Sequence, residues 1–183
     1  LGDVYQRIGD YPNAIEHYTQ AITIAREIGH KRSEGISLGN LGIVYQEIGD
    51  YPNAIEHFQQ AITIAREIGD KRREGIPLGN LGTAYKELGD FPKAIEHYQQ
   101  AITITREIGD RRHEGIFLGN LGELTLKQNQ IDEAGVALRE AITICDETFP
   151  LAAGAFRGSL ALLLAQLGQI DEARDLLSTG ELQ

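Results

Sequence analysis

The chain has 183 residues, with 27 acidic side chains against 17 Lys and Arg, for a net charge of −10 at pH 7. That balance disfavours a general nucleic-acid binder, which is usually basic where it meets phosphates. No run approaches the roughly 20 apolar residues of a membrane helix, and the single cysteine, Cys145, excludes an internal disulfide or a cysteine-based zinc site. No methionine is present, so the sequence reads as a fragment of a longer chain. It opens with no signal peptide, and a cytoplasmic setting is expected.

A period of 40 residues governs the sequence. Residues 1–40 and 41–80 differ at seven positions, and 41–80 and 81–120 at eleven. The marks run in step: Leu1/Leu41/Leu81/Leu121, Gly2/Gly42/Gly82/Gly122, Tyr5/Tyr45/Tyr85, Gly9/Gly49/Gly89, Ala14/Ala54/Ala94/Ala134 and Ala21/Ala61/Ala101/Ala141. Residues 1–30 are a partial first unit, its first helix cut short at Leu1. Units 31–70 and 71–110 are complete. Unit 111–147 departs from the pattern, and 148–183 is a divergent C-terminal unit or cap, in step at a spacing of 39 through Leu160, Ala173 and Leu176.

Each unit reads as two helices. In the second, Ile36, Leu38, Leu41, Gly42, Tyr45 and Ile48 fall at helical spacing. Gly49-Asp50 breaks that pattern, Asp50 is a good N-cap, and Pro52 sits in the first turn, where its missing N–H costs little. The second helix runs through Ala54, Ile55, Phe58, Ala61, Ile62, Ile64, Ala65 and Ile68. One helical hairpin cannot bury its own apolar face, so the units must stack. Gly42, Ala54 and Ala61 suit close helix approach, with Tyr45 and Phe58 as fillers between units. In the third unit Pro77 lacks an N–H, which predicts a kinked or shortened first helix if that helix already includes Arg73.

The pattern L-G-x-x-Y-x-x-x-G-D-Y-x-x-A-I-x-x-Y/F-x-x-A resembles the tetratricopeptide repeat along nearly the whole chain. The 40-residue period, with G-D-K/R-R-x-E-G followed by L-G-N-L-G, is similar to the Leu-Gly-Asn repeats of Pins-type adaptors. Kinesin light chains and bacterial arrays fused to ATPase or kinase modules look alike. Leu38, Leu78 and Leu118 stand where the family has tryptophan. Thr125, Asn129 and Ile131 depart from the pattern and read as a capping region. The resemblance implies an all-α, right-handed solenoid of stacked antiparallel helix pairs. It also implies a protein-binding role as an adaptor or as the sensing arm of a larger protein, with an extended peptide in a concave groove lined by the first helices.

By that resemblance the inward stripe is Ile36, Gly39, Asn40, Ile43, Gln46 and Glu47 with its later equivalents. An amide both donates and accepts, so Asn40, Asn80 and Asn120 are candidates for a ladder along a peptide backbone, the role this position has in the Pins-type family. The alternative is that each satisfies a backbone group of the solenoid. Gly39, Gly79 and Gly119 leave room for close approach or for helix packing. Asp3/Ile43/Thr83/Glu123 vary at one inward position, which suits side-chain reading by Ile43, Thr83 and Glu123, or drift at tolerant sites. Arg32, Arg72 and Arg112 suit acidic side chains of a partner, because the guanidinium fork is bidentate. The bland reading pairs them with Glu34, Glu74 and Glu114 or with nearby aspartates.

Catalytic and metal chemistry find no support in the sequence. His17, His57 and His97 never form H-E-x-x-H, G-D-K-R-R-E-G lacks the phosphate-loop ending, and no G-x-S-x-G elbow occurs. Cys145, among Ala141, Ile142 and Ile144, reads as a packed thiol. The expectation is a module without cofactor, metal, membrane or nucleic-acid partner. Its rival is a structural solenoid that self-associates through its ends or groove.

Overall fold

The computed structural model describes residues 1–178. Ten α-helices follow one another: α1 (Gly2–Arg7), α2 (Tyr11–Glu27), α3 (Lys31–Glu47), α4 (Tyr51–Glu67), α5 (Lys71–Glu87), α6 (Phe91–Glu107), α7 (Arg111–Lys127), α8 (Ile131–Thr148), α9 (Pro150–Gln166) and α10 (Ile170–Ser178). Among the described residues there is no strand. The chain divides into two compact units, Leu1–Ile104 and Thr105–Gln183.

In the first unit each helix from α1 to α5 packs on its sequence neighbours, and α3 also touches α5. The helix ends follow the local chemistry. Gly9, Gly29, Gly49, Gly69 and Gly89 close the helices at φ between +69° and +79°, a conformation that costs glycine nothing. The next residue caps the following helix: Asp10, Asp50 and Asp70 accept from the backbone N–H three residues on, as does His30 through Nδ1. The core forms where first-helix glycines meet second-helix rings. A Cβ on Gly42 would lie 2.7 Å from the Phe58 ring, and on Gly2 or Gly82 2.8 Å from Tyr18 or Tyr98. Phe58 therefore fills the space inside its own helix pair. Leu38 and Leu78, in the tryptophan position, are buried.

Pro77 does not shorten its helix: α5 spans 17 residues, as α3 and α7 do. Proline removes one hydrogen bond to the Arg73 carbonyl, while buried Glu74, Leu78 and Leu81 anchor the helix on both sides of it.

In the second unit α7 packs on α8, α8 on α9 and α9 on α10, and α7 also touches α9. The departures read as a capping region leave the α7–α8 pair regular. Asn129 takes φ 59°, the conformation of the glycines it replaces, and asparagine is among the few residues that tolerate it. Gln130 and Phe149, at the starts of α8 and α9, make no side-chain cap.

Candidate functional site

The first helices α3 and α5 enclose a pocket of about 340 Å³ in the first unit. Its apolar lining is Ile36, Ile43, Ile76 and Pro77, and its polar lining includes Arg32, Arg72, Arg73, Asp70, Asn40 and Asn80. Six residues singled out from the sequence meet here: Arg32, Gly39, Asn40, Ile43, Arg72 and Asn80. Gly39 is open, with nothing within 4 Å of where a Cβ would stand.

The charges at the rim are ordered. Asp70 caps α5, and its carboxylate also lies 3.0 Å from Arg32 Nη2. Burial would raise the Asp70 pKa, but the hydrogen bonds from Arg32 and the Arg73 N–H and both positive charges bring it below the ordinary aspartate value. Arg73 Nε sits 3.1 Å from Asp70 Oδ2. It is out of line for a hydrogen bond, so this buried N–H has no acceptor among the described residues. Arg32 is thus committed to an aspartate within the fold. Arg72, which also lines the pocket, is exposed.

The asparagines are not equivalent. Asn40 Nδ2 donates to Asp3 Oδ1 at 3.3 Å, and Asp3 also accepts from the Tyr18 hydroxyl. Burial and then the Asp3 carboxylate push that hydroxyl above its ordinary pKa of 10. Forty residues on, the position of Asp3 is Ile43, which cannot accept, and the Asn80 amide has no hydrogen-bond partner among the described residues. At this variable position, then, Asp3 engages the asparagine of the next pair and Ile43 does not. Thr83, at the same position, hydrogen-bonds the Tyr98 hydroxyl at 3.0 Å.

A second ordered feature was hidden in the sequence. Glu34 and Glu74 are buried. Each accepts from the arginine eight residues earlier, Arg26 or Arg66, at 2.7 Å, and is approached by Lys31 or Lys71 at 3.7 Å. Glu114 repeats this in the second unit with Arg106 at 2.7 Å and Arg111 at 2.8 Å. The glutamates thus pair with these residues and not with Arg32, Arg72 or Arg112.

The profile of the tetratricopeptide repeat matches residues 1–67 and 72–147, and a second tetratricopeptide repeat profile matches 154–178. The chain belongs to the tetratricopeptide repeat family. No curated protein matches it in sequence. Solved repeat structures share its fold. BtubC from P. vanneervenii is 21% identical, with a TM-score of 0.88 over 99% of this chain and 76% of that one. A putative kinesin light chain from Podosopora anserina, with nearly identical TPR-like repeats, is 22% identical with a TM-score of 0.77, covering 99% and 90%. A signal transduction ATPase from Pyrococcus horikoshii with a tetratricopeptide repeat sensor is 24% identical, with a TM-score of 0.81 over 94% of this chain and 27% of its own. The fold class is that of an all-α tetratricopeptide solenoid.

In the second unit of this tetratricopeptide repeat protein the candidate residues are occupied differently. A Cβ on Gly119 would lie 2.1 Å from Phe156, whose ring covers that glycine. Gly119 thus serves helix packing and leaves no room for a ligand backbone. Arg112 stacks over the Phe149 ring at 4.5 Å. Glu123 accepts from Ser159 Oγ at 2.8 Å. Asn120 is half-buried on α7, and Gly79 of the first unit is buried on α5.

The histidines of the repeats lie on tyrosines of their own pairs at 5.1–5.3 Å between ring centres: His17 stacks on Tyr5 and His97 on Tyr85, and His57 is tilted against Tyr45. Cys145 is fully buried, and burial and then Asp146 raise its thiol pKa. Among the described residues no group of three His, Cys, Asp or Glu could hold a metal, and no helix is long and apolar enough to cross a membrane.

Proposed function

We propose that this chain is a protein-interaction module that receives an extended peptide segment against its first helices, with the α3–α5 pocket as the principal contact. The observation behind this reading is the gathering, in one open pocket, of an unengaged amide (Asn80), a free glycine surface (Gly39) and the exposed Arg72 beside four apolar side chains. A half-buried amide with no partner in the fold can both donate to and accept from a peptide backbone. The pocket's three arginines against one aspartate suit a peptide with acidic side chains, with Arg72 as the available cation. The likeness to a protein with a tetratricopeptide repeat sensor supports a role as the sensing or adaptor arm of a larger assembly. No catalytic role, cofactor, nucleic acid or membrane is part of the proposal, and a cytoplasmic setting is. The test is binding of peptides by the parent and by an Asn40→Ala, Asn80→Ala, Asn120→Ala variant shown by circular dichroism to be folded. Loss of binding in the folded variant supports the groove, and equal binding sinks it.

A further inference from the structure

The two helix-pair junctions that the structure describes in full, α3 against α5 and α7 against α9, are copies of one arrangement with different fillings. By the 40- and 39-residue spacings, Gly39 corresponds to Gly119, Arg32 to Arg112, Asp70 to Phe149 and Pro77 to Phe156. At α7–α9 the Phe156 ring covers Gly119 so closely that a Cβ there would stand 2.1–2.3 Å from three ring carbons, and Arg112 stacks on Phe149. At α3–α5 the small Pro77 replaces the phenylalanine, Gly39 faces open space, and a pocket of about 340 Å³ stands there instead. The rest of the lining suits the missing ring. Ile36, Ile43 and Ile76 supply apolar walls, and the exposed Arg72 brings a guanidinium, a group that stacks on aromatic faces.

We infer that the pocket over Gly39 is an acceptor for an aromatic side chain of the partner peptide, which takes the place that Phe156 holds over Gly119. This rests on the groove reading above and adds to it the chemistry of one peptide side chain. A phenylalanine-sized ring fits because the fold already seats one in the matching place. A bare glycine beneath it permits contact that alanine would obstruct. Asn80, unengaged beside Ile43, is left to hold the peptide backbone that carries the ring. The junction at α7–α9 is self-filled and offers no such acceptor.

Pro77→Phe supplies the ring from the chain itself. The helix tolerates it, since Phe117 holds the same register on α7 and is buried there. In the first arm, amide shifts of the ¹⁵N-labelled full chain are followed on adding N-acetyl-phenylalanine amide, with N-acetyl-leucine amide as the aliphatic comparison. The expected result is that the aromatic probe moves Gly39, Asn40, Ile76 and Asn80 several-fold more than the aliphatic one, and that Pro77→Phe abolishes the response. Equal responses to the two probes, shifts confined to other residues, or an unchanged response in Pro77→Phe would overturn the inference. Gly39→Ala, which intrudes by a single methyl, is the second variant and is expected to weaken the response. In the second arm, a random peptide display library is panned on the parent. The expected peptides carry an aromatic residue whose change to alanine weakens binding about tenfold, as for a side chain anchored in a pocket, and they fail on Pro77→Phe. Peptides lost on Asn80→Ala but retained by Pro77→Phe would overturn the aromatic acceptor and leave the groove reading standing. Peptides indifferent to both changes would remove both.

Discussion

Arg66 and Glu74 face each other across the turn between two helix pairs, Nε to Oε1 at 2.7 Å, with the glutamate side chain 9% exposed. The arginine sits in the last turn of α4 and the glutamate in the first turn of α5. Their bond therefore fixes the chain's direction where it passes from one pair to the next. Breaking one side of such a contact leaves a buried carboxylate short of a donor. Arg66→Ala is expected to lower unfolding stability by about 2 kcal/mol, with Glu74→Gln costing less because the amide keeps the shape and still accepts. Urea unfolding of the three proteins, compared at constant slope, measures it.

Asp70 gives the acid limb of stability a distinct component. Its folded pKa lies below the ordinary aspartate value, because Arg32 and Arg73 outweigh the effect of burial. A depressed carboxylate contributes stability above its unfolded pKa, about 4, and that contribution is lost as pH falls through the folded pKa. Asp70→Asn is therefore expected to be less stable than the parent at pH 7, and the gap should close as the pH drops below the ordinary aspartate range. Thermal melts from pH 7 down to the acid transition check this. A gap that stays constant with pH would contradict it.

Two glycines on one helix should respond in opposite ways to the same change. A Cβ on Gly42 meets the buried Phe58 ring at 2.7 Å, whereas one on Gly39 meets nothing. Gly42→Ala is expected to cost about 1–3 kcal/mol through overpacking. Gly39→Ala should stabilise by up to about 1 kcal/mol, the helix preference of alanine over glycine. Denaturant midpoints of the two variants decide the matter by their signs.

The asparagines should separate fold from recognition. Asn40 is bonded to Asp3, so Asn40→Ala is expected to cost about 1 kcal/mol of stability. Asn80 lies beside Ile43 without a partner among the described residues, so Asn80→Ala should leave the melting temperature nearly unchanged while weakening peptide binding. Calorimetric melts paired with peptide titrations of both variants test the split.

Much of the fold was legible in the chain's spacing. The 40-residue period, the Gly-Asp turns, the capping by Asp50 and the close approach at Gly42 all rest on interactions within a few residues or on helical periodicity, and local pattern carries these. Asn129 looked like an irregularity because glycine was expected, yet the turn needed only a residue that tolerates a positive φ. The pairing of Asn40 with Asp3 spans 37 residues, and nothing near either residue announces it, although both positions stood out separately. The burial of Glu34, Glu74 and Glu114 has no local signal, because a carboxylate beside lysine and arginine is normally exposed. Their burial depends on arginines eight residues earlier, across a helix break, where helical spacing no longer predicts neighbours. The pocket has no signal in the sequence either: Pro77 marks a missing hydrogen bond locally, whereas the volume it leaves empty depends on Gly39, 38 residues earlier.

The arginine–glutamate bridge also bears on how the stack comes apart. Where it joins α2 to α3 and α4 to α5, it ties the end of one pair to the start of the next, so a pair that frays exposes a buried carboxylate belonging to its neighbour. In a linear array, stability is a sum of intrinsic and nearest-neighbour terms, and this bridge adds to the second kind. A larger share of coupling energy makes partial unzipping expensive relative to complete unfolding. The helix pairs of the first unit are thereby expected to melt as one cooperative body instead of peeling away in succession.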